Sequence, residues 1–272
     1  MTRIEKLIGE FKQKLDFAIL LRESNRFMFM VYYLQMCIVI AEKIIEEYKS
    51  ENKIKETEKW EEILADLHTE KSKANTIQSI PSHNLAKMIH HSTFKICSMV
   101  GSGTCFLADI NFNTNEYYFV TNKHVVENET RFVIKSEKED FVLDATIFAV
   151  HDRYDLAVVK ATIKNVDYDF IPVEFSNQAD IIEGTSIYMI GNQRGMGLGF
   201  LAGYISRITN DNIFVDVKTC EGTSGSAIYN DKGAVIGINY GTIKEVPVAI
   251  NCQILIEYLK HIGLKVRVQT RN

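Results

Sequence analysis

The spacing of apolar residues changes near residue 94, and this change constrains the fold more than any other feature of the chain. Before it, apolar residues recur every three or four positions, which is the period of a helix that buries one face. After it, short apolar runs alternate with turn residues, as they do in antiparallel sheets. The sequence therefore predicts an α-helical region over residues 1–92 and a mainly β domain over residues 93–272.

Four helices are predicted in the first region, over residues 3–21, 27–48, 60–67 and 85–90. The second of them is apolar nearly all round in its first half, so it needs cover on more than one side. A helical unit of this size can barely enclose such a helix. The region is therefore either a structural extension of the next domain or a regulatory or oligomerisation module, and the apolar helix favours assembly or partner binding.

The second region is predicted to hold about eleven short strands and a final helix capped by Asn251. The strands span residues 104–109, 117–121, 131–135, 141–150, 156–161, 186–190, 201–208, 213–217, 227–229, 234–239 and 247–250. Turns rich in Asn, Asp and Gly at residues 113–115 and 230–233 predict hairpins. This pattern fits two packed antiparallel β-barrels followed by a C-terminal helix.

Charge and hydropathy argue against two classes of partner. The formal net charge of −4 provides no global basic field for a nucleic acid. The one apolar run that resembles a membrane span covers residues 27–41, and its 15 residues fall short of the roughly 20 that cross a bilayer. Neither a nucleic-acid partner nor a membrane partner is expected.

The cysteines predict a reducing compartment. There are five, each isolated in the sequence: Cys37, Cys97, Cys105, Cys220 and Cys252. An odd number without a CxxC pair indicates free thiols rather than a disulfide framework or a zinc site. The first residues carry charges of both signs and lack the apolar core of a signal peptide. The sequence therefore predicts a cytoplasmic protein without metal or cofactor.

A serine flanked by glycines stands at Ser224, in the stretch Glu221-Gly222-Thr223-Ser224-Gly225-Ser226-Ala227. Gly222 can adopt dihedral angles that other residues resist, so the amides of Gly222 and Ser224 can point at one spot. Two convergent amides of this kind stabilise the oxyanion of an acyl-transfer intermediate. By itself, the stretch also fits an ordinary polar turn.

Two residues upstream supply the partners that a serine nucleophile requires. His124 comes directly after a predicted strand, and Asp155 comes directly before another. A serine hydroxyl needs an imidazole to accept its proton as it attacks. The imidazole in turn needs a carboxylate that fixes its tautomer and stabilises its charged form. His124, Asp155 and Ser224 form the minimum set, with one residue for each role.

The sequence around these residues resembles a known family. The frames TNKHVV, DLAVVK and EGTSGSA occur in this order and are similar to those of the chymotrypsin-fold (trypsin-like) serine peptidases, closest to the HtrA-type protease domain. Further matching segments lie at residues 101–103, 190–192, 202–206 and 235–239. The resemblance covers about residues 96–262 and nothing before them.

The resemblance implies a serine endopeptidase with a chymotrypsin-like fold of two antiparallel, six-stranded-type β-barrels. His124 would be the general base, Asp155 its orienting carboxylate and Ser224 the nucleophile. The amides of Gly222 and Ser224 would form the oxyanion hole. The expected partner is a protein or peptide substrate, and no cofactor is implied.

The chain departs from the family pattern at three places. Gly225-Ser226-Ala227 replaces the HtrA-type Gly-Gly-Pro but keeps the residues small. No PDZ module is expected after the barrels, and no Ile-Val-Gly-Gly activation start precedes them. Activation through a freed amino terminus is therefore not expected. Control is predicted to come from residues 1–92, which would also form a homo-oligomer or bind a partner protein.

Four residues are candidates for substrate contacts. Lys218 lies six residues before Ser224, where trypsin-like members place the base of the main specificity pocket. A cation there would favour substrates with an acidic side chain. Alternatively, Lys218 simply faces water, as lysines usually do. Asn239, Tyr240 and Gly241 match the segment that pairs with the substrate backbone as an added strand.

A second interpretation belongs to a different functional class. A chain with this fold could be a catalytically silent scaffold that recognises a partner through the barrels and the helices. The presence of His124, Asp155 and Ser224 together argues against that alternative.

Overall fold

The computed structural model describes residues 2–23, 27–75, 82–99, 101–137, 141–163 and 168–269. The chain forms two compact units that divide between residues 80 and 81. The first unit contains three helices, and the second contains the strands together with the remaining helices. Each unit is described separately.

The first unit is organised around its second helix. The helices are α1 (Arg3–Glu23), α2 (Phe27–Ser50) and α3 (Ile54–Asn75), and α2 packs against both of the others. Because the apolar residues of α2 run nearly all round the helix, both neighbours are needed to bury them. Fully buried side chains of α2 include Cys37, Ile38, Ala41 and Ile44. Within the described residues, no helix is both long and apolar enough to cross a membrane.

The second unit begins its β structure with a closed six-stranded antiparallel barrel in the order β1-β2-β3-β6-β5-β4. Its strands are β1 (Thr93–Cys97), β2 (Ser102–Asn111), β3 (Glu116–Thr121), β4 (Phe132–Lys135), β5 (Val142–Val150) and β6 (Ala157–Thr162). Inward-facing aromatic side chains fill its core, among them Phe94, Phe106, Phe119 and Phe132. A short helix, α5 (Lys123–Val126), follows β3.

A second closed six-stranded antiparallel barrel follows, in the order β10-β11-β12-β9-β8-β7. Its strands are β7 (Ser186–Asn192), β8 (Leu198–Ile208), β9 (Asn212–Val215), β10 (Ala227–Tyr229), β11 (Val235–Ile243) and β12 (Val246–Asn251). The terminal helix α6 (Cys252–His261) starts at Asn251, whose side chain accepts a hydrogen bond from Gln253 N at 3.1 Å. This cap was predicted from the sequence and is confirmed.

A fourth helix, α4 (Ser82–His90), belongs to the second unit rather than to the helical one. It packs against β1 and β7, and its Leu85 and Ile89 are buried. The sequence predicts this helix within the region 1–92, because helical periodicity does not show which neighbour covers the apolar face. The structure places the boundary between compact units before α4.

The prediction of two barrels and a terminal helix is confirmed, but one strand was missed. Strand β1 has only five residues, and lysine interrupts its apolar residues. It pairs with β2 on one side and with β4 on the other. Its existence therefore depends on partners that are distant in sequence.

Candidate active site

The Asp155 carboxylate holds His124 at two points. Asp155 Oδ2 lies 2.6 Å from His124 Nδ1, and Asp155 Oδ1 accepts a hydrogen bond of 2.9 Å from the backbone amide of His124. A carboxylate can only accept at neutral pH, so Nδ1 carries the proton of the neutral ring and Nε2 keeps its lone pair. His124 belongs to α5, which starts two residues after the end of β3, and Asp155 lies two residues before the start of β6.

This contact changes the basicity of the imidazole. The hydrogen bond with Asp155 raises the pKa of His124 above its ordinary value of 6.5, against the opposing effect of partial burial. The negative charge of Asp155 acts in the same direction as the hydrogen bond. The imidazole is therefore a stronger base than a free histidine.

The turn that presents Asp155 is held by another histidine. Nδ1 of His151 accepts hydrogen bonds from the amides of Arg153 and Tyr154, at 3.0 and 3.2 Å. The amide of His151 donates to Leu156 O at 2.9 Å and so closes the turn. Because Nδ1 acts as an acceptor, this role needs the unprotonated ring, and burial lowers the pKa of His151 accordingly.

Ser224 lies in the connection between β9 and β10, in a turn that two glycines make possible. Gly222 has φ +86° and Gly225 has φ +85°, both in the left-handed region. A Cβ at either position would also collide with backbone, with the carbonyl of Asn192 in one case and that of Thr104 in the other. Only glycine satisfies both the dihedral angle and the close approach.

The amide of Gly222 is free to bind a ligand. Among the described residues, it donates to no protein acceptor. The carbonyl of Glu221 in the same peptide group accepts from Arg194 N at 2.8 Å. Because a trans peptide points its N–H and C=O in opposite directions, this bond turns the Gly222 amide away from Arg194.

The amide of Ser224 also donates no hydrogen bond to an acceptor in the part of the chain that the structure describes. The carbonyl of Thr223, in the same peptide group, accepts from Asn239 Nδ2 at 2.9 Å and from Ser226 N at 3.2 Å. Both amides that the sequence singled out are therefore unpaired, while the carbonyls of their peptide groups are held.

The backbone of Ser224 and the segment that carries His124 approach the same glycine. A Cβ at Gly103 would lie 2.9 Å from Val125 Cγ1 and 3.3 Å from Ser224 O. The absence of a side chain at Gly103 thus lets the two segments approach each other. In the described part of the chain, the Ser224 hydroxyl has no hydrogen-bond partner, and catalytic hydrogen bonds are often long in unliganded enzymes.

The structure contradicts the expected role of Asn239 in pairing with substrate. Its amide donates to Ser226 O at 2.9 Å, and its carbonyl accepts from Gly225 N at 3.0 Å. Its side-chain amide binds Thr223 O, and the residue is buried. Asn239 therefore supports the turn around Ser224, and its backbone is not available to an added strand.

The other candidates for substrate contacts lie where a ligand could reach them. Lys218 is exposed in the segment that follows β9. At Gly241, with φ +146°, a Cβ would meet open space, and the β11–β12 register shifts between Asn239 and Gly241. The Tyr240 hydroxyl contacts Asn212 Oδ1 at 3.1 Å, and burial, followed by the charge of Asp155, raises the pKa of Tyr240.

Comparison with known proteins agrees with this geometry. Residues 101–238 match the family model described as trypsin-like peptidase domain. A probable periplasmic serine endoprotease, DegP-like, from Rhizobium meliloti is 34% identical over 137 residues, which are 47% of this chain and 26% of that protein. Serine endoprotease DegS from Haemophilus influenzae is 29% identical over 132 residues, which are 45% of this chain and 37% of that protein.

Solved structures show the same fold. Deg5 has a TM-score of 0.56 at 23% identity, covering 65% of this chain and 92% of that chain. The HtrA-type protease AlgW, solved with a tripeptide, has a TM-score of 0.58 at 22% identity, covering 67% of this chain and 63% of that chain. The resemblance to chymotrypsin-fold, HtrA-type peptidases that the sequence motifs indicated is confirmed.

The same comparison contradicts the predicted cytoplasmic location. Relatives from Rhizobium meliloti and Bartonella henselae are named as periplasmic endoproteases. The prediction is based in part on the isolated cysteines, and none of the five forms a disulfide in the described part of the chain. Three of them, Cys37, Cys105 and Cys252, are buried. Buried thiols without a disulfide partner stay reduced in an oxidising compartment too, so they do not indicate the cytoplasm.

Proposed function

Because the chain belongs to the trypsin-like peptidase domain family, we propose that it is a serine endopeptidase with Ser224 as nucleophile, His124 as general base and Asp155 as orienting carboxylate. The observation that carries the proposal is the two-point contact between Asp155 and His124, at 2.6 and 2.9 Å. Two unpaired amides in the turn around Ser224 supply the second requirement of acyl transfer.

The proposed reaction follows from these groups. Ser224 Oγ attacks the carbonyl carbon of the scissile peptide bond while His124 Nε2 accepts the hydroxyl proton. The amides of Gly222 and Ser224 donate hydrogen bonds to the oxyanion that forms. His124 then gives the proton to the leaving amine as the peptide C–N bond breaks, which leaves an acyl-enzyme. A water molecule, deprotonated by His124, hydrolyses that ester and restores Ser224.

Asp155 acts through His124 and keeps its negative charge throughout. It fixes the tautomer with the proton on Nδ1 and stabilises the imidazolium once His124 has accepted a second proton. The raised pKa of His124 reflects the same stabilisation in the resting state.

The substrate is proposed to be an extended peptide that adds as a strand beside Tyr240 and Gly241. Beyond Ile238, the last residue of β11 that pairs with β10, β11 pairs with β12 on one side. Backbone groups on the other side are therefore positioned to pair with a peptide. The exposed position of Lys218 supports the alternative in which it faces water rather than lining a specificity pocket.

The helical unit is proposed to assemble the protein or to regulate it. Its surface exposes large apolar side chains, with exposed fractions of 47% for Phe17, 48% for Ile19 and 71% for Ile54. Exposed apolar side chains of this size can be covered by a second copy of the chain or by a partner protein. The chain spans 26 to 37% of the length of the two relatives described above. The activity and location of those relatives are therefore only proposed for this chain. We place the proposed activity in the periplasm.

The test is cleavage of an unfolded protein such as casein by the full chain, beside a Ser224→Ala variant. Cleavage that Ser224→Ala reduces by about 10⁶ supports the proposal, since loss of the nucleophile in a serine peptidase has an effect of that size. Cleavage that persists in the variant contradicts it. If the folded chain cleaves nothing and Ser224 remains unreactive, the scaffold alternative replaces it.

A further inference from the structure

We propose that Thr104 is a positioning residue for the oxyanion hole, acting through its side-chain hydroxyl. The inference deepens the proposed peptidase function and rests on it. Thr104 belongs to β2 of the first barrel, whereas the amides of the oxyanion hole lie in the connection between β9 and β10 of the second.

The hydroxyl of Thr104 joins two backbone groups of the second barrel. It donates to Gly222 O at 2.8 Å and accepts from Asn192 N at 2.9 Å. The backbone amide of Thr104 also donates to Ser224 O at 2.9 Å. One residue therefore binds the carbonyls of both residues whose amides would contact the oxyanion.

No water competes for these bonds, because Thr104 has no exposed surface. A hydroxyl has one proton, and here the proton goes to Gly222 O while an oxygen lone pair receives the Asn192 amide. Both backbone groups are thus satisfied by the same side chain. If the hydroxyl were absent, a buried N–H and a buried C=O would both be left without this partner.

The orientation of two successive peptide groups depends on this arrangement. The Gly222–Thr223 peptide is held by Thr104 Oγ1, and the Glu221–Gly222 peptide is held by Arg194 N. Arg194 lies two residues after Asn192, which the same hydroxyl binds. Thr104 therefore fixes one peptide directly and anchors the start of the turn that fixes the other.

Glycine makes this support necessary. With φ +86° and no side chain, Gly222 has a backbone that can rotate more easily than that of other residues. Rotation of the Glu221–Gly222 peptide would replace the inward amide by a carbonyl oxygen, which would repel the oxyanion. Threonine at position 104 opposes that rotation through Asn192, because its hydroxyl anchors the start of the turn whose Arg194 amide holds the Glu221 carbonyl.

The test compares Thr104→Val, which keeps the shape but loses the hydroxyl, with Thr104→Ser, which keeps the hydroxyl. The readout is the saturating rate constant for fluorophosphonate labelling of the full chain, measured together with the concentration at half-saturation. We expect Thr104→Val to lower the saturating rate roughly 10²-fold, which is the usual effect of losing one oxyanion donor. Thr104→Ser should stay within about threefold of the unaltered chain, because it has the same donor and acceptor.

A matched control separates positioning from general destabilisation. Ser92→Ala also removes a buried hydroxyl, one that donates to Ile171 O at 2.6 Å. It should lower thermal stability while leaving the labelling rate unchanged. The pH at which the labelling rate of Thr104→Val is half-maximal should match that of the unaltered chain, because the hydroxyl of Thr104 bonds to Gly222 and Asn192 and not to His124 or Asp155.

The outcomes are distinguishable. If Ser224 of the unaltered chain is not labelled, the proposed function itself fails. If the unaltered chain is labelled and folded Thr104→Val reacts at the same saturating rate, the inference about Thr104 is overturned. If Thr104→Val does not fold, the test uses Thr104→Cys instead. Because a thiol is a weak donor, the saturating labelling rate of Thr104→Cys should be lower than that of Thr104→Ser. Equal rates in these two variants would contradict the inference.

Discussion

Asp155 binds both the ring and the backbone of His124, with Oδ2 at 2.6 Å from Nδ1 and Oδ1 at 2.9 Å from the amide nitrogen. The ring contact sets the protonation chemistry, and the backbone contact fixes the position of α5 relative to the turn before β6. A substitution at Asp155 should therefore affect both the pKa of His124 and the placement of its ring.

The pH dependence of the proposed activity follows from this contact. His124 must be neutral to accept a proton, so kcat/KM should rise with pH through a pKa above the ordinary 6.5. In Asp155→Asn the hydrogen bond to a carboxylate and its charge are lost, so the inflection should move to lower pH. The rate above the inflection should fall by about 10⁴ because the tautomer is no longer fixed. An inflection that stays in place after Asp155→Asn would contradict the role given to Asp155.

Gly222→Ala should abolish most of the activity. The substitution forces a Cβ into a left-handed conformation at φ +86° and against Asn192 O, so the amide must move. We expect a loss of roughly 10²- to 10³-fold in kcat, as when an oxyanion donor is removed. The control is Gly184→Ala, at φ +82° but with nothing within 4 Å of the added Cβ. Gly184→Ala should cost about 1 kcal/mol of stability and no activity, and equal losses in both variants would show that Gly222 has no special role.

Lys218→Ala should leave the cleavage preference unchanged. The side chain is exposed, so its charge is well solvated and selects weakly among substrates. Profiling with a peptide library, in which the residue before the scissile bond is varied, measures the preference directly. A preference for acidic residues that disappears in Lys218→Ala would instead place Lys218 in the specificity pocket.

Leu85→Ala should destabilise the peptidase unit although it lies outside both barrels. Leu85 is fully buried, and its helix α4 packs against β1 and β7. Removing a buried leucine side chain costs about 2–5 kcal/mol, measured as the free energy of unfolding in denaturant. Lys260→Ala, on the exposed side of the terminal helix α6, should change that free energy by less than about 0.5 kcal/mol. A small effect of Leu85→Ala would mean that α4 is dispensable to the unit.

Much of the fold could be predicted because local patterns determine it. The strand alternation, the turn at residues 113–115 and the Asn251 cap each depend on residues close together in sequence. The hairpin turn contains Asn115 at φ 54°, a conformation that asparagine tolerates well. Strand β1 could not be found in this way, because its five residues become a strand only through pairing with β2 and β4.

The same distinction between local sequence features and long-range contacts applies to the candidate site. His124, Asp155 and Ser224 stand in recognisable frames, so the sequence predicts them as candidates. Thr104 is separated from Asn192 by 88 positions and from Gly222 by 118 positions in the sequence. No local sequence pattern could therefore predict these contacts. The error at Asn239 has a similar origin, because its backbone groups bond to Gly225 and Ser226 of the preceding turn, which the local pattern of β11 does not indicate.

The central claim is that Ser224 is a nucleophile activated by His124, and labelling by a fluorophosphonate tests it most directly. The full chain should form an adduct that peptide mass spectrometry locates on Ser224, with no adduct at the neighbouring Ser226, whose side chain is buried. His124→Ala should slow the labelling by several orders of magnitude, since the hydroxyl then lacks its base. An adduct on another serine, or labelling of Ser224 at an unchanged rate in His124→Ala, would contradict the account.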